Sequence, residues 1–176
     1  MDIFTLTLYK KDLSMNIDNK YCSLCSHQLE SRRVEGKVRH YCTSCDYIFY
    51  LDPKVATVTI VERTQNILLV KRSIQPHLGK WSLPSGYVDR GEKVEEAAIR
   101  EVKEETNLDI KLMNLIGVYS GEGPVILIVF RASPINGCPS PGEEVSEVSW
   151  FQINNLPELP FPFDDDIISD YREVIQ

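Results

Sequence analysis

Three glutamates crowded into a turn and a half of helix constrain this chain more than any other feature. Residues 100–105 read Arg-Glu-Val-Lys-Glu-Glu, so Glu101, Glu104 and Glu105 lie three and four apart along one stripe. Seven residues earlier, Val94, Ala97 and Ala98 hold the equivalent positions, so a row that begins apolar turns acidic halfway along the helix. Carboxylates gathered beside a packing face repel one another and lose solvation unless a positive charge sits among them. A hard divalent cation, Mg²⁺ or Mn²⁺, meets that demand because it prefers oxygen ligands. The plainer reading is a solvated, salt-bridged surface helix, since charge runs are common on surfaces. The flanking turns favour the first reading: Leu83-Pro84-Ser85-Gly86 is rigid, and Gly91-Glu92 makes a second bend before the helix.

Gly86 precedes Glu92 by five intervening residues, and seven more separate Glu92 from the Arg100–Glu105 run. This spacing resembles the Nudix box, Gly-x5-Glu-x7-Arg-Glu-U-x-Glu-Glu-x-Gly-U, where U is a bulky aliphatic residue. Asn107 is the one departure, standing where the pattern has its last glycine. That glycine would end the helix in a left-handed conformation, which Asn tolerates best among the other residues. The resemblance implies that Glu101 and Glu105 are the principal Mg²⁺ or Mn²⁺ ligands, with Glu104 a further ligand or a base acting through water. It implies a backbone ligand at the Ser85 carbonyl and a supporting role for Gly86, Glu92 and Arg100. Outside the box, Glu144 matches a glutamate that such families use as an extra ligand or base. Glu143 and Glu147 lie close by, and an ordinary solvated loop carboxylate is the alternative at Glu144.

Cys22-Ser-Leu-Cys25 and Cys42-Thr-Ser-Cys45 are two CxxC pairs separated by sixteen residues. This is the ligand spacing of a four-thiolate Zn²⁺ site, each pair forming one knuckle. The segment resembles a zinc ribbon: a short hairpin between the pairs, then a strand at 47–50. So short a module buries too little apolar surface to fold alone, and metal supplies the missing stability. Two disulfides or a redox-active pair are the competing readings, the first weakened by the lack of other secretory features. A closed Cys₄ site leaves no open coordination position, so catalysis is expected elsewhere. Cys138 is read as a loop thiol, and His27, His40 and His77 are assigned no chemistry.

The expected organisation is a disordered tail over 1–19, a zinc ribbon over 20–51 and a Nudix domain over 52–176. Strands are expected at 55–61, 67–72, 110–119, 125–132 and 145–151, with a hairpin turn at Gln65-Asn66. A last helix over 165–174 is expected to be capped by Asp164. The fold class is α/β: a Nudix α/β/α sandwich with a mixed sheet, preceded by the small ribbon. No apolar run approaches the roughly 20 residues that span a bilayer, so no membrane partner is expected. The N-terminus lacks the basic region and cleavage site of a secretory signal, which makes the cytoplasm the expected location. The net charge of −7 argues against nucleic acid as a partner. Polyphosphate substrates stay open, because divalent cations can bridge two sets of negative charge.

Ribbon and box together resemble the zinc-ribbon Nudix hydrolases. These include FAD and ADP-ribose pyrophosphatases and, less close to this chain, NADH pyrophosphatases. The phrase KRSIQPHLGKWSLPSGYVDRGE is similar to the first group, and the Ser-Gln-Pro-Trp-Pro-Phe-Pro-x-Ser signature of the second is absent. The implied reaction is Mg²⁺-dependent hydrolysis of a nucleoside diphosphate linked to another group, with ADP-ribose or FAD foremost, releasing AMP and a second phosphate. An NADH pyrophosphatase and a non-hydrolytic Nudix ligand sensor are the alternatives. Tyr87, Phe130, Phe161 and Phe163 could stack on a base or flavin, although aromatic residues are more often core. The resemblance also leaves room for a homodimer, since many relatives pair.

Overall fold

Residues 20–121 and 123–175 are described by the computed structural model, and the tail expected over 1–19 falls outside them. The chain divides between Pro53 and Lys54 into two units. In the first unit, the CxxC segments fold as matching knuckles. Each turns through a residue in the left-handed region one place past its second cysteine: Ser26 and Asp46, both with φ 58°. The Cys22 N–H donates to the His27 carbonyl (2.7 Å) and the Cys42 N–H to the Tyr47 carbonyl (2.8 Å), so the bond recurs at one offset. Between the knuckles, β1 (Glu30–Val34) and β2 (Lys37–Tyr41) form the expected hairpin, and β3 (Ile48–Phe49) pairs antiparallel with β2. The turn residues Glu35 and Gly36 both have positive φ (52° and 80°), the two-residue turn that matches strand twist.

In the second unit, strict alternation along two apolar strands divides the core. Val58 and Ile60 of β4 (Lys54–Arg63) and Ile67 and Leu69 of β5 (Asn66–Arg72) share a cluster with Ile167, Ile168 and Tyr171 of α2 (Asp164–Val174). Val61 and Leu68, one residue out of step, face the opposite way and pack with Val102 of α1 (Val94–Thr106), Leu108 and Ile110. With both faces covered, Ile67–Val70 is an uninterrupted apolar run that is fully buried. The sheet is completed by β8 (Asp109–Tyr119), β9 (Val125–Asn136) and β10 (Val145–Gln152), in the order β10-β5-β4-β9-β8. Strands β4 and β9 run parallel and the other neighbours antiparallel. The result is a mixed sheet between two helices, the α/β/α sandwich of the expectation.

Two short strands escape the alternation pattern: β6 (Trp81–Ser82) and β7 (Ser85–Tyr87), in a stretch whose sequence reads as loop and turn. They exist because β4 forks. Its end pairs with β5 through Glu62–Ile67 and Arg63–Asn66, while its first half pairs with β7, placing Thr57 opposite Gly86 and Val58 opposite Ser85. The fork lays Ser85 and Gly86 along the α1 side of the sheet. Two boundaries also differ from expectation. The β4–β5 turn is Thr64-Gln65, with Thr64 taking the positive φ (59°), so Asn66 is already in the strand. Asp164 is the first residue of α2, not its cap, and its carboxylate accepts from the Phe161 N–H instead (2.8 Å).

Candidate active site

Helix α1 buries Ala97, Ala98, Val102 and Thr106 against the sheet, which sets the direction in which its glutamates leave it. Glu101 lies directly on the backbone of β7: a Cβ at Gly86 would fall inside the Glu101 carboxylate, so any side chain there must push that carboxylate aside. One turn on, Glu105 accepts from the Ser85 N–H (3.0 Å). Glu104 departs from the shared stripe. Its side chain is 61% exposed against 16% for Glu101.

Arg100 ties these parts together. Its Nε and one terminal nitrogen form a two-pronged pair with Glu92 (2.8 and 2.9 Å), and the same terminal nitrogen donates to the Tyr87 carbonyl (3.0 Å). The other terminal nitrogen reaches Glu101 (2.7 Å) and Glu104 (3.2 Å). Glu92 also accepts from the Asp89 N–H (3.0 Å), closing the loop before the helix. Arg100 holds the Glu92 carboxyl at about 2, well below its ordinary value of 4.5. Box positions 86, 92 and 100 thus form one bracket that fixes loop and helix in register.

Asn107 ends α1 in the left-handed conformation (φ 59°), the geometry expected of the glycine it replaces. It also does what glycine cannot: its side-chain amide donates to the Ser140 carbonyl (3.2 Å) and hydroxyl (3.0 Å). The following loop closes on the helix end through Ser140 N–H to Thr106 (3.0 Å) and Gly142 N–H to Glu105 (3.1 Å). Gly142 comes so close that a Cβ there would collide with the Glu104 carbonyl. This docking carries Glu144 to the site, where its charge acts on both Glu101 and Glu105. The Glu144 carbonyl is tied to the Ser73 N–H (3.0 Å). Glu147, its nearby competitor, is engaged by Lys71 at 2.6 Å, and Glu143 contributes its carbonyl to the Ser73 hydroxyl (3.5 Å).

Burial pushes the Glu105 carboxyl up to about 8, with Glu101 and Glu144 adding to the rise while the Ser85 N–H and Arg72 oppose it. Glu101 is raised as well, chiefly by burial and in spite of Arg100. Two carboxylates raised chiefly by burial, with the Glu144 charge acting on both, form a donor set suited to a hard cation. Arg72 is the residue that sequence reasoning missed. It ends an apolar strand, where a charged residue is unremarkable. The fold sets it beside Glu105 and over the Phe161 ring (5.5 Å), with its Nε donating to the Pro76 carbonyl (2.7 Å). Of the aromatic candidates, Phe161 meets Arg72 and His77, whereas Phe130 is core (8% exposed). Phe163 packs on Tyr119 (6.0 Å), and Tyr87 lies under Lys54 (4.6 Å).

In the ribbon, the sulfurs of Cys22, Cys25, Cys42 and Cys45 all lie within 4.8 Å of one another, with close pairs at 3.4 and 3.6 Å. A tetrahedron of thiolates on Zn²⁺ separates its sulfurs by about 3.8 Å, so the four cysteines fit that ion. None forms a disulfide. Among the described residues this is the one cluster of three or more His, Cys, Asp or Glu whose ligand atoms all converge so tightly. Of the box carboxylates, Glu92, Glu101 and Glu104 are engaged by Arg100.

The NUDIX domain family model matches residues 52–171, and the Nudix N-terminal zinc-ribbon model matches 20–51. The chain belongs to the NUDIX family. This Nudix chain is 45% identical over 130 residues to an ADP-ribose pyrophosphatase of Methanocaldococcus jannaschii, covering 71% of the chain and 76% of the relative. It is 32% identical over 163 residues to the NAD-capped RNA hydrolase NudC of Stutzerimonas stutzeri, covering 90% of the chain but 58% of that longer relative. Among solved structures, a Nudix hydrolase of Nitrosomonas europaea superposes with a TM-score of 0.81 at 34% identity, over 88% of this chain and 90% of that one. A MutT Nudix hydrolase of Burkholderia pseudomallei gives 0.62 at 28% identity, over 68% of this chain and 98% of the other.

Proposed function

We infer that this Nudix hydrolase splits a nucleoside diphosphate linked to another group, with ADP-ribose the leading substrate, yielding AMP and a second phosphate. The observation that carries the substrate is the 45% identity to an ADP-ribose pyrophosphatase over 130 residues. FAD is the next candidate, on the similarity of the segment leading into the box.

In this reading Glu101, Glu105, Glu144 and the Ser85 carbonyl hold Mg²⁺ or Mn²⁺, and Glu104 serves as a further ligand or a base. The bound cation supplies charge neutralisation at the phosphoryl oxygens and acidifies an attacking water. The water oxygen bonds to one phosphorus, the bridging oxygen departs with the other phosphate, and the proton passes to a site carboxylate, Glu104, Glu105 or Glu144. Arg72, beside Glu105, offers the diphosphate a cationic donor, and the Arg100–Glu92 bracket keeps Glu101 in place. The four ribbon cysteines hold Zn²⁺ in a structural role, since a closed Cys₄ site leaves no open coordination position for catalysis.

The NudC relatives favour a second reading, in which the dinucleotide is NADH or the NAD cap of an RNA. Its weakness is the missing signature after the box. A panel of ADP-ribose, FAD, NADH and NAD with Mg²⁺, its products resolved by chromatography, separates these readings. ADP-ribose turned over fastest, to AMP and ribose 5-phosphate, is the expected result. NADH as the fastest substrate would favour the second reading, and ligand binding without turnover in Mg²⁺ or Mn²⁺ would favour the sensor.

A further inference from the structure

Outside its cysteines the ribbon has two more cations than carboxylates, an excess that four thiolates on Zn²⁺ would offset, so its distinction lies in where the cations stand. Residues 20–51 contain Lys20, Arg32, Arg33, Lys37 and Arg39 against Glu30, Glu35 and Asp46, although the whole chain stands at −7. In the second unit, Lys71, Lys80, Lys93, Arg100, Lys103 and Arg131 each pair with a carboxylate, whereas Lys54, Arg63, Arg72, Arg90, Lys111 and Arg172 do not. Among the described residues, none of the five ribbon cations forms such a pair.

Strand register concentrates this charge. Arg32 and Arg39 are direct cross-strand partners, a placement in which like charges repel. Each is steadied by an aromatic ring: the Arg32 guanidinium lies 4.7 Å from the Tyr41 ring centre, and that of Arg39 lies 4.4 Å from Tyr50. His40 pairs with Phe49 across β2 and β3, so Tyr50, next along, falls on the face that carries Arg39. Arg32, Arg39 and Tyr50 thus form a row across the sheet, with Tyr41 beside it. Tyr50 is 44% exposed. Arg39 Nε is withdrawn from solvent without a hydrogen-bond acceptor, which leaves only the terminal nitrogens of that guanidinium for an incoming anion. Glu30 shares the face, and Asp46 accepts from the Tyr41 hydroxyl.

We propose that this face of the ribbon binds single-stranded nucleic acid, with phosphates on Arg32 and Arg39 and bases against the tyrosine rings. Guanidinium groups pre-oriented on aromatic faces match a strand that alternates anionic and planar groups. An acidic peptide would satisfy the arginines but leave the rings unused. The proposal does not rest on the hydrolytic reading, because none of these residues belongs to the catalytic site.

The test is fluorescence anisotropy of labelled single-stranded RNA and DNA oligonucleotides with the zinc-loaded full chain, repeated across salt concentrations. Two phosphate contacts predict a log–log salt slope of about −1.4. R32Q/R39Q should weaken binding at least about tenfold and flatten the slope, while zinc content and ADP-ribose hydrolysis stay at wild-type levels. R39K, which keeps the charge but loses the planar stack, should fall between the two and serves as the arm if the double variant loses zinc. RNA bound more tightly than DNA would assign a contact to the 2′-hydroxyl, and equal binding would assign recognition to phosphate and base alone; both support the face. No binding at low salt, unchanged binding by R32Q/R39Q, or displacement of the oligonucleotide by polyglutamate as effective as by unlabelled RNA would overturn the proposal.

Discussion

At the residue scale, the site depends on two close approaches to glycine, at Gly86 and Gly142. A methyl group at Gly86 must displace the Glu101 carboxylate, which is the movable end of a side chain. G86A should therefore lower turnover by about 10²-fold, the usual consequence of misplacing a reacting group by an ångström, with little shift in melting temperature. Wild-type turnover in G86A would contradict the placement of Glu101. These two glycines also mark where sequence reading succeeds and fails. Gly86 stands at a fixed distance from Glu92 and Arg100, so its place is written into a local pattern. Gly142 and Arg72 matter only because a loop folds back on the end of α1 and a strand ends beside Glu105, contacts between segments far apart in sequence. Glu144 is intermediate. Its residue type and region can be read, but what separates it from Glu147 is the Lys71–Glu147 pair between β5 and β10.

At the element scale, legibility followed length. The 13-residue α1 and the long strands repeat their apolar period often enough to be read, and Asn107 at the end of α1 was legible through its tolerance of the left-handed region. Strands of two and three residues, β6 and β7, contain no full period, and they form because β4 turns away from β5. The start of α2 was misplaced because Asp164 suits a cap, yet its side chain turns back to the Phe161 N–H. That burial has a consequence for stability. It pushes the Asp164 carboxyl from 3.8 up to about 6, with Asp165 adding to the rise. Since the folded-state value lies above the unfolded one, the folded protein holds this proton more tightly, and stability falls as pH rises from about 4 to about 6. The loss is on the order of 2–3 kcal/mol. D164N removes the group and keeps an acceptor for Phe161, so urea midpoints at pH 4 and 7 should differ less in the variant than in the wild type. Equal pH dependence of the two proteins would contradict the assignment.

At the scale of the whole molecule, the chain is two units with separate sources of stability. The hydrolase unit has two apolar clusters on either side of a buried sheet. The ribbon buries Cys22 and Cys42 and little else, so its fold rests on the metal its four thiols would hold. C22S should abolish zinc binding and amide protection in residues 20–51, yet leave ADP-ribose turnover within about threefold, as expected when mass action on metal stabilises one unit alone. Full loss of turnover in a variant whose hydrolase unit stays folded would show that the units are coupled. Whole-chain charge was the least informative quantity, because −7 averages an acidic hydrolase with a ribbon rich in unpaired arginine. In the proposed reaction the half-buried carboxylates beside β7 hold a divalent cation for hydrolysis, and Glu105 is the more withdrawn of the two that pack there. ADP-ribose hydrolysis as a function of Mg²⁺ concentration, in the wild type and in E105Q with circular dichroism as the check on folding, tests that role. Saturable activation by Mg²⁺ in the wild type, and at least about 10³-fold lower turnover in a folded E105Q, is the predicted result. Turnover by the wild type without any divalent cation, or near-normal turnover by E105Q, would contradict it.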